Sequence, residues 1–220
     1  MRFGYSITPN AAFSFKQWEN TCATACMILF SYGAIRDNNF AVPDLEKRLV
    51  EMTQNEIEKK LDSLAWNTTT DLRYVSIMIS QALREANSRI RESNSLLGSR
   101  SYVGGVVCFT NGSSLIAIPF GGGNAYVYSE GIVKPINKKA EGELIDDALG
   151  CVEELKPRCF QGAVQPQDRV FLTSGDIALP TLANLITDHL KAPGSNPNTL
   201  AMEILEELKL RSRATMEIIL

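Results

Sequence analysis

Histidine is almost missing from this sequence: among 220 residues it occurs once, as His189, and no two cysteines have Cys-x-x-Cys spacing. Structural zinc sites need several histidine and cysteine ligands at short spacings, so we do not expect such a site. A catalytic cysteine–histidine pair would have to use His189, and no local signature supports one. A surface or boundary position on a helix is the commoner place for a single histidine.

Positive charge is not in excess, because 22 lysine and arginine residues stand against 25 aspartate and glutamate residues and give a formal net charge of -3. A chain without a basic excess is poorly suited to hold a nucleic-acid backbone or an anionic membrane face. Long apolar runs are missing too, since no stretch approaches the roughly 18 residues that a membrane-spanning helix requires. We therefore expect neither nucleic acid nor membrane as a partner.

Paired cysteine spacings are also missing. The five cysteines are an odd number, and the first residues contain no apolar signal-peptide core. This usage is typical of free thiols in a reducing compartment, so we expect a cytoplasmic protein. The oligomeric state stays open. The five residues are Cys22, Cys26, Cys108, Cys151 and Cys159.

Hydrophobic residues make up 45% of the chain, which is ordinary for a globular protein, and we predict one domain over residues 1–220. Loose alternation over residues 2–16 predicts a strand hairpin that turns at Thr8-Pro9-Asn10. Residues 18–33 are almost wholly apolar and predict a buried helix, on which Cys22 and Cys26 lie one turn apart as small core residues.

Two amphipathic helices follow. The first opens at Pro43-Asp44 and repeats apolar residues every three to five positions as far as Leu64. The second follows Asp71 and carries one apolar stripe as far as Ile90.

The hydrophobic period then changes to two, which predicts a four-stranded antiparallel meander over residues 102–109, 114–120, 125–128 and 132–136. A bare glycine corner, Gly121-Gly122-Gly123, separates the second and third strands. Neither a Gly-Lys-Ser/Thr sequence nor a helix follows it, so we interpret it as a tight turn and not as a phosphate loop.

The remaining segments are shorter. They predict a helix near residues 141–149, a strand over 169–173, helices over 181–190 and 198–210, and a closing strand over 215–220. The element order predicts an α+β fold of two antiparallel sheets faced by helix pairs.

The order and spacing from Asp71 onward resemble the type 2C, metal-dependent serine/threonine protein phosphatases. In that family a helix ending in Ala-Asn, here Ala86-Asn87, precedes a strand pair and a Gly-Asp-Ser-Arg corner, here residues 121–124. A later strand ends in Ser-Asp-Gly, and here residues 174–176 read Ser-Gly-Asp. An Asp-Asn pair precedes the last strand, and here Ser212-Arg213 falls there. The resemblance implies the family's α-β-β-α sandwich.

The resemblance also implies a lost metal site. The family's reaction uses two divalent ions, and such hard cations take carboxylate ligands. Gly175 and Ser212 match the two metal-ligand aspartates, and Gly122 matches the aspartate of the corner. Near the N-terminus the family's acidic pair falls on Ala11-Ala12, and its Asp-Gly-x-Gly-Gly loop has no match before the apolar segment at residues 18–33.

Two residues near the matched positions are candidates for binding an ion or a phosphate. Asp176 is one residue from a lost ligand position; it is a candidate for a single ion, although an aspartate in a turn more commonly caps or is solvated. Arg213 is a candidate for holding a phosphate without hydrolysing it. Arg36-Asp37-Asn38 resembles the N-terminal motif in letters, but it follows the predicted helix over 18–33.

Three functions remain as hypotheses. The first is a degenerate phosphatase, a pseudophosphatase without catalytic residues or cofactor, which binds or regulates a protein partner in phospho-signalling. The second is an active manganese- or magnesium-dependent phosphatase whose ligands come from Asp176 with Asp37 or Asp44. The third is a structural or assembly subunit.

Overall fold

The computed structural model describes residues 5–6, 13–19, 23–32, 44–64, 71–137, 147–165, 167–174, 179–190 and 218–219. In these ranges the chain forms strands and helices in the following order: β1 (Tyr5–Ser6), β2 (Phe13–Glu19), β3 (Thr24–Tyr32), α1 (Leu45–Asp62), α2 (Leu72–Leu97), β4 (Tyr102–Thr110), β5 (Ser114–Phe120), β6 (Gly123–Ser129), β7 (Ile132–Pro135), β8 (Phe160–Ala163), β9 (Arg169–Ser174), α3 (Leu179–Leu190) and β10 (Ile218–Ile219).

The strands form two antiparallel sheets. Sheet I has the order β1-β10-β9-β6-β7, and sheet II has the order β2-β3-β4-β5-β8. Helices α1 and α2 pack on sheet II, α3 packs against β7, and β6 and β9 of sheet I contact β3 and β4 of sheet II. The predicted α+β class with two antiparallel sheets and flanking helices is confirmed, while the single domain over residues 1–220 stays a prediction.

The predicted four-stranded meander is wrong, although both of its hairpins form. Strands β4 and β5 pair in sheet II, whereas β6 and β7 pair in sheet I. The chain changes sheets at Gly121 and Gly122, whose φ angles of 52° and 94° lie in the left-handed region. The glycine corner therefore joins the two layers of the sandwich.

The predicted helix over residues 18–33 is also wrong, because its centre is strand β3. Met27 and Leu29 lie in the core beneath α1 and α2, while Cys26 and Ile28 lie in the core between the two sheets. A strand that is buried on both faces loses the polar–apolar alternation and reads as a continuous apolar run. The helical pairing of Cys22 with Cys26 is lost with it, and Cys22 lies outside the described residues.

The predicted N-terminal hairpin is wrong as well. Strand β1 pairs with β10 in sheet I, whereas β2 pairs with β3 in sheet II. The two strands therefore belong to different layers, and the turn predicted between them at residues 8–10 lies outside the described residues.

The other predicted elements are mostly confirmed. Helices α1, α2 and α3 and strands β9 and β10 lie where the patterns place them, but α2 continues ten residues beyond Asn87 to Leu97, so Ala86-Asn87 lies inside the helix. Residues 147–149 are not helical, and Leu149 forms an isolated bridge with Val103. Strand β8 was not predicted. Residues 141–146 and 198–210 lie outside the described ranges.

A buried acidic residue joins the two helices on sheet II. The Glu56 carboxylate, with only 4% of its side chain exposed, accepts from Arg89 of α2 at 2.8 Å and from Lys59 of α1 at 2.9 Å. Lys60 and Glu85 form a second pair between the helices at 3.2 Å, with both side chains partly exposed. Electrostatic pairing thus supplements the apolar contact between α1 and α2.

None of the described helices is both long and apolar enough to cross a membrane.

Two buried thiols lie directly opposite each other on neighbouring strands of sheet II. Cys26 of β3 pairs in register with Cys108 of β4, and both are free. Burial raises the pKa of the Cys26 thiol from 9.0 to about 12. Burial, and to a smaller extent the neighbouring cysteines, raises the pKa of Cys108 well above its usual value. Both residues therefore act as neutral core residues.

We expect the free energy of unfolding to fall as the pH rises from about 9 towards about 12. The unfolded chain releases the Cys26 proton near pH 9, whereas the folded chain holds it until about pH 12. Since the unfolded state then binds fewer protons, each such thiol removes about 1.4 kcal/mol of stability per pH unit in this window. Urea unfolding at several pH values measures the slope.

Two variants isolate the contribution of the Cys26 thiol to this slope. Cys26→Ala is expected to flatten the alkaline slope, whereas Cys151→Ala, which changes an exposed thiol, is expected to keep it. An unchanged slope in Cys26→Ala contradicts the assignment.

Candidate functional site

The glycine corner marks one edge of the sandwich, where several strands end. Gly123 at the start of β6 pairs with Ser174, the last residue of β9. A Cβ atom placed on Gly121 would lie 2.8 Å from the Cα atom of Gly104 in β4. Gly104 pairs with Phe30, two residues before β3 ends. The ends of β3 and β9 therefore lie beside the corner.

Strands β1 and β10 reach the same edge. Ser6, Ile218, Thr173 and Asn124 form one row across sheet I, so β1 leaves towards the corner and β10 enters from it. The structure thus gathers at one edge the strand ends next to which the predicted motifs lie in the sequence. Gly175 and Asp176 follow β9, Asp37 follows β3, and Ser212 and Arg213 precede β10. These five residues lie outside the described ranges.

One prediction is corrected by this arrangement. The sequence predicts a helix before residues 36–38, but the element before them is strand β3, which ends at Tyr32 beside the corner. The position of Arg36-Asp37 along the chain is therefore no objection to the second hypothesis. Asp44 is exposed and immediately precedes α1. His189 lies in α3, and its side chain is not described.

Two buried asparagines fix the corner. Asn124 Nδ2 donates to the carbonyl oxygen of Gly122 at 2.9 Å, and Asn137 Nδ2 donates to Asn124 Oδ1 at 3.1 Å. The backbone N–H of Ala125 completes the network by donating to Asn137 Oδ1 at 2.8 Å. Both asparagine side chains are almost completely buried. The polar atoms of this network are neutral and bond to one another.

One carboxylate contacts the corner in the part of the chain that the structure describes. Asp147 Oδ1 accepts a hydrogen bond of 2.7 Å from the backbone N–H of Gly121. Asp147 is only partly buried and lies 26 positions along the chain from Gly121. Its role is to hold the left-handed turn against the loop that follows residue 146.

Gly121 and Gly123 of the corner have no room for side chains, and neither does Gly105 of the neighbouring strand β4. A Cβ atom on Gly123 would lie 1.9 Å from the carbonyl oxygen of Gly105, and a Cβ atom on Gly105 would lie 2.3 Å from the carbonyl oxygen of Ile28. Real Cβ atoms do not approach backbone atoms this closely. The two sheets therefore meet here backbone against backbone.

The described part of the corner does not fit a pair of divalent cations. Such ions require several carboxylate oxygens, but Gly122 has no side chain and Asn124 Oδ1 already accepts from Asn137. Asp147 Oδ1 is likewise engaged by Gly121. Across the described ranges, no group of three or more histidine, cysteine, aspartate or glutamate side chains is placed to hold a metal ion.

The sequence did not identify Asn137 or Asp147 as residues of this edge. Asn137 follows a short strand, and Asp147 was assigned to a helix. Both contact the corner only through tertiary structure, so no local spacing marks them. Gly122, which the sequence did single out, lies at the centre of the turn.

The fold has close counterparts among solved structures. The catalytic domain of the serine/threonine phosphatase PstP, in complex with two manganese ions, superposes with a TM-score of 0.70 at 16% identity, over 99% of this chain and 96% of that one. A phosphatase of S. agalactiae gives 0.72 at 12% identity, with 99% and 96% coverage. Phosphatase Stp1 of Staphylococcus aureus gives 0.71 at 11% identity, with 99% and 92% coverage.

No protein-family model and no curated protein sequence matches this chain. At these identities the structural likeness shows the fold alone. The chain has the phosphatase 2C-like fold.

Proposed function

We propose that this protein is a catalytically degenerate phosphatase-fold protein that binds or regulates a protein partner in phospho-signalling. The observation that carries the proposal is the carboxylate-poor corner, at which Gly122 replaces an acidic side chain and two neutral asparagines bond to each other. The sequence supports it independently, because Gly175 and Ser212 stand where the resemblance implies metal-ligand aspartates.

The proposal also includes a cellular compartment and a class of binding partner. The free thiols of Cys26, Cys108 and Cys159 agree with a reducing compartment, which we propose to be the cytoplasm. The negative net charge agrees with a protein partner, and not with nucleic acid or an anionic membrane. No metal cofactor is part of the proposal.

We expect the purified protein to hydrolyse p-nitrophenyl phosphate no faster with millimolar Mn²⁺ or Mg²⁺ than with EDTA, because the carboxylates that position the ions are replaced. A second arm restores them in the double variant Gly175→Asp with Ser212→Asp. Calorimetric titration of Mn²⁺ into both proteins is expected to give binding only in the double variant. Metal-dependent turnover by the unmodified chain that Asp176→Ala abolishes would refute the proposal.

A second candidate is an active phosphatase with different ligands. The observation that favours it is the end of β3 beside the corner, since Asp37 follows five residues after Tyr32 and Asp176 two residues after Ser174. This candidate requires saturable Mn²⁺ binding by the unmodified chain that is lost in Asp37→Asn and in Asp176→Asn but kept in Asp62→Asn. An absence of heat at millimolar Mn²⁺ rules it out.

A further inference from the structure

The outward face of α2 carries exposed apolar and basic side chains together. Tyr74 and Ile77, one helical turn apart, are 54% and 62% exposed, although both are large hydrophobic residues. Arg73, Arg84 and Arg91 are exposed on the same side, opposite the residues that α2 buries against sheet II. We call these five residues the α2 stripe. At 1.5 Å per residue it extends roughly 27 Å along the helix.

The arginines of the α2 stripe are separate from the pairs that join the two helices. Arg89 and Glu85 face α1, where they pair with Glu56 and Lys60. Asp71 accepts a hydrogen bond from the backbone N–H of Arg73 at 2.8 Å. Among the described residues, no carboxylate forms an ion pair within 4.0 Å with the guanidinium group of Arg73, Arg84 or Arg91. Arg91 donates to the carbonyl oxygen of Glu153 at 3.4 Å, a contact that leaves its charge unneutralised.

We propose that the α2 stripe is a docking surface for an acidic segment of a protein partner that also carries an apolar side chain. An arginine guanidinium binds carboxylates through two parallel hydrogen bonds, so free arginines complement aspartate and glutamate. Tyrosine and arginine are, with tryptophan, the residues enriched among those that dominate binding energy at protein interfaces. The proposal rests on the partner-binding half of the proposed function and is independent of the catalytic half.

The charge of the α2 stripe favours an acidic protein segment over an anionic membrane as its binding partner. The chain as a whole is negative, with a net charge of -3, so the α2 stripe is a local positive surface on an acidic protein. An anionic membrane would meet the repulsion of the remaining surface across its whole plane, whereas a single acidic segment meets the stripe alone.

The test uses a fluorescent helical peptide of Glu and Leu residues, titrated with the full chain and followed by anisotropy at low and high salt. Two matched peptides replace Glu by Lys or Leu by Ser. We expect the Glu/Leu peptide to bind more tightly than either matched peptide, with an affinity that falls as the salt concentration rises. The double variant Arg73→Glu with Arg84→Glu is expected to weaken binding by about tenfold or more, and Ile77→Ser by about threefold to tenfold.

The control is Arg48→Glu, which makes the same charge change at an exposed position on α1 and is expected to alter binding less than about twofold. Circular dichroism checks that each variant is folded, as expected for surface substitutions. No saturable binding, or equal affinity in the double variant, overturns the proposal. So does binding to phosphatidylserine vesicles without the peptide, or self-association that Arg84→Glu abolishes.

The two proposals fail in different experiments. Metal-dependent turnover would refute the degenerate site and leave peptide binding unaffected, whereas loss of peptide binding would remove the docking surface and leave the phosphatase assay unchanged.

Discussion

Gly123→Ala is expected to cost at least about 4 kcal/mol of folding free energy and to leave little soluble protein. The added Cβ atom would lie 1.9 Å from the carbonyl oxygen of Gly105 and 2.9 Å from the backbone nitrogen of Val106. Neither group can move aside as a flexible side chain does, because β4 is held between β3 and β5. The two sheets would have to separate at the edge where the candidate site lies.

Gly162→Ala is the matched control for this prediction. Gly162 also lies in a strand, β8, but a Cβ atom there meets nothing within 4 Å. The control is expected to change stability by less than about 1 kcal/mol, measured by urea unfolding. If Gly123→Ala and Gly162→Ala unfold at the same urea concentration, the prediction is contradicted. The backbone-to-backbone contact would then not be what excludes side chains at the corner.

Removing both cations from Glu56 is expected to cost about 3 to 5 kcal/mol. In the double variant Lys59→Met with Arg89→Met, a carboxyl group whose side chain is only 4% exposed loses both of its cationic partners. The cost arises from the uncompensated buried charge, since the two cations are themselves more than half exposed and well hydrated. Chemical unfolding of the double variant measures the loss.

A triple variant separates this mechanism from a general loss of helix contact. Adding Glu56→Met to the double variant removes the buried charge and is expected to restore most of the stability, because apolar side chains of similar size replace buried ion pairs at little cost. Lys47→Met, which breaks an exposed pair at 4.0 Å, is expected to change stability by less than about 1 kcal/mol. If the triple variant is no more stable than the double, buried charge is not the cause.

The sequence predicted the amphipathic helices α1 and α2 but not the buried strand β3. Helices α1 and α2 show clear amphipathic stripes because one side of each faces water. Strand β3 is covered by helices on one face and by sheet I on the other, so its apolar run has no period to reveal a strand.

The sequence pattern likewise does not show to which of the two sheets each strand belongs. A pair of strands such as β5 and β6 reads as a hairpin whether its glycine turn stays in one sheet or crosses to the next. Only the register of both strands with other partners, β4 for one and β9 for the other, decides between the two.

The candidate site was predicted in the same partial way. The glycine corner is visible in the sequence, and the resemblance predicts that Gly122 stands where the family has an acidic side chain. The contacts of Asn137 and Asp147 were not visible, since they join positions 13 and 26 residues apart along the chain. Such contacts depend on the folded arrangement of both sheets and leave no local pattern.

The pairing of β1 with β10 has a consequence for synthesis on the ribosome. Strand β10 lies between β1 and β9, so residues 5–6 gain their neighbour in sheet I only after residues 218–219 have emerged. Strands β2 to β5 and helices α1 and α2, by contrast, can assemble while the nascent chain is still growing. Strand β1 therefore waits until strand β10 has been synthesised, and closing so long a loop makes this pairing a late and slow step of folding.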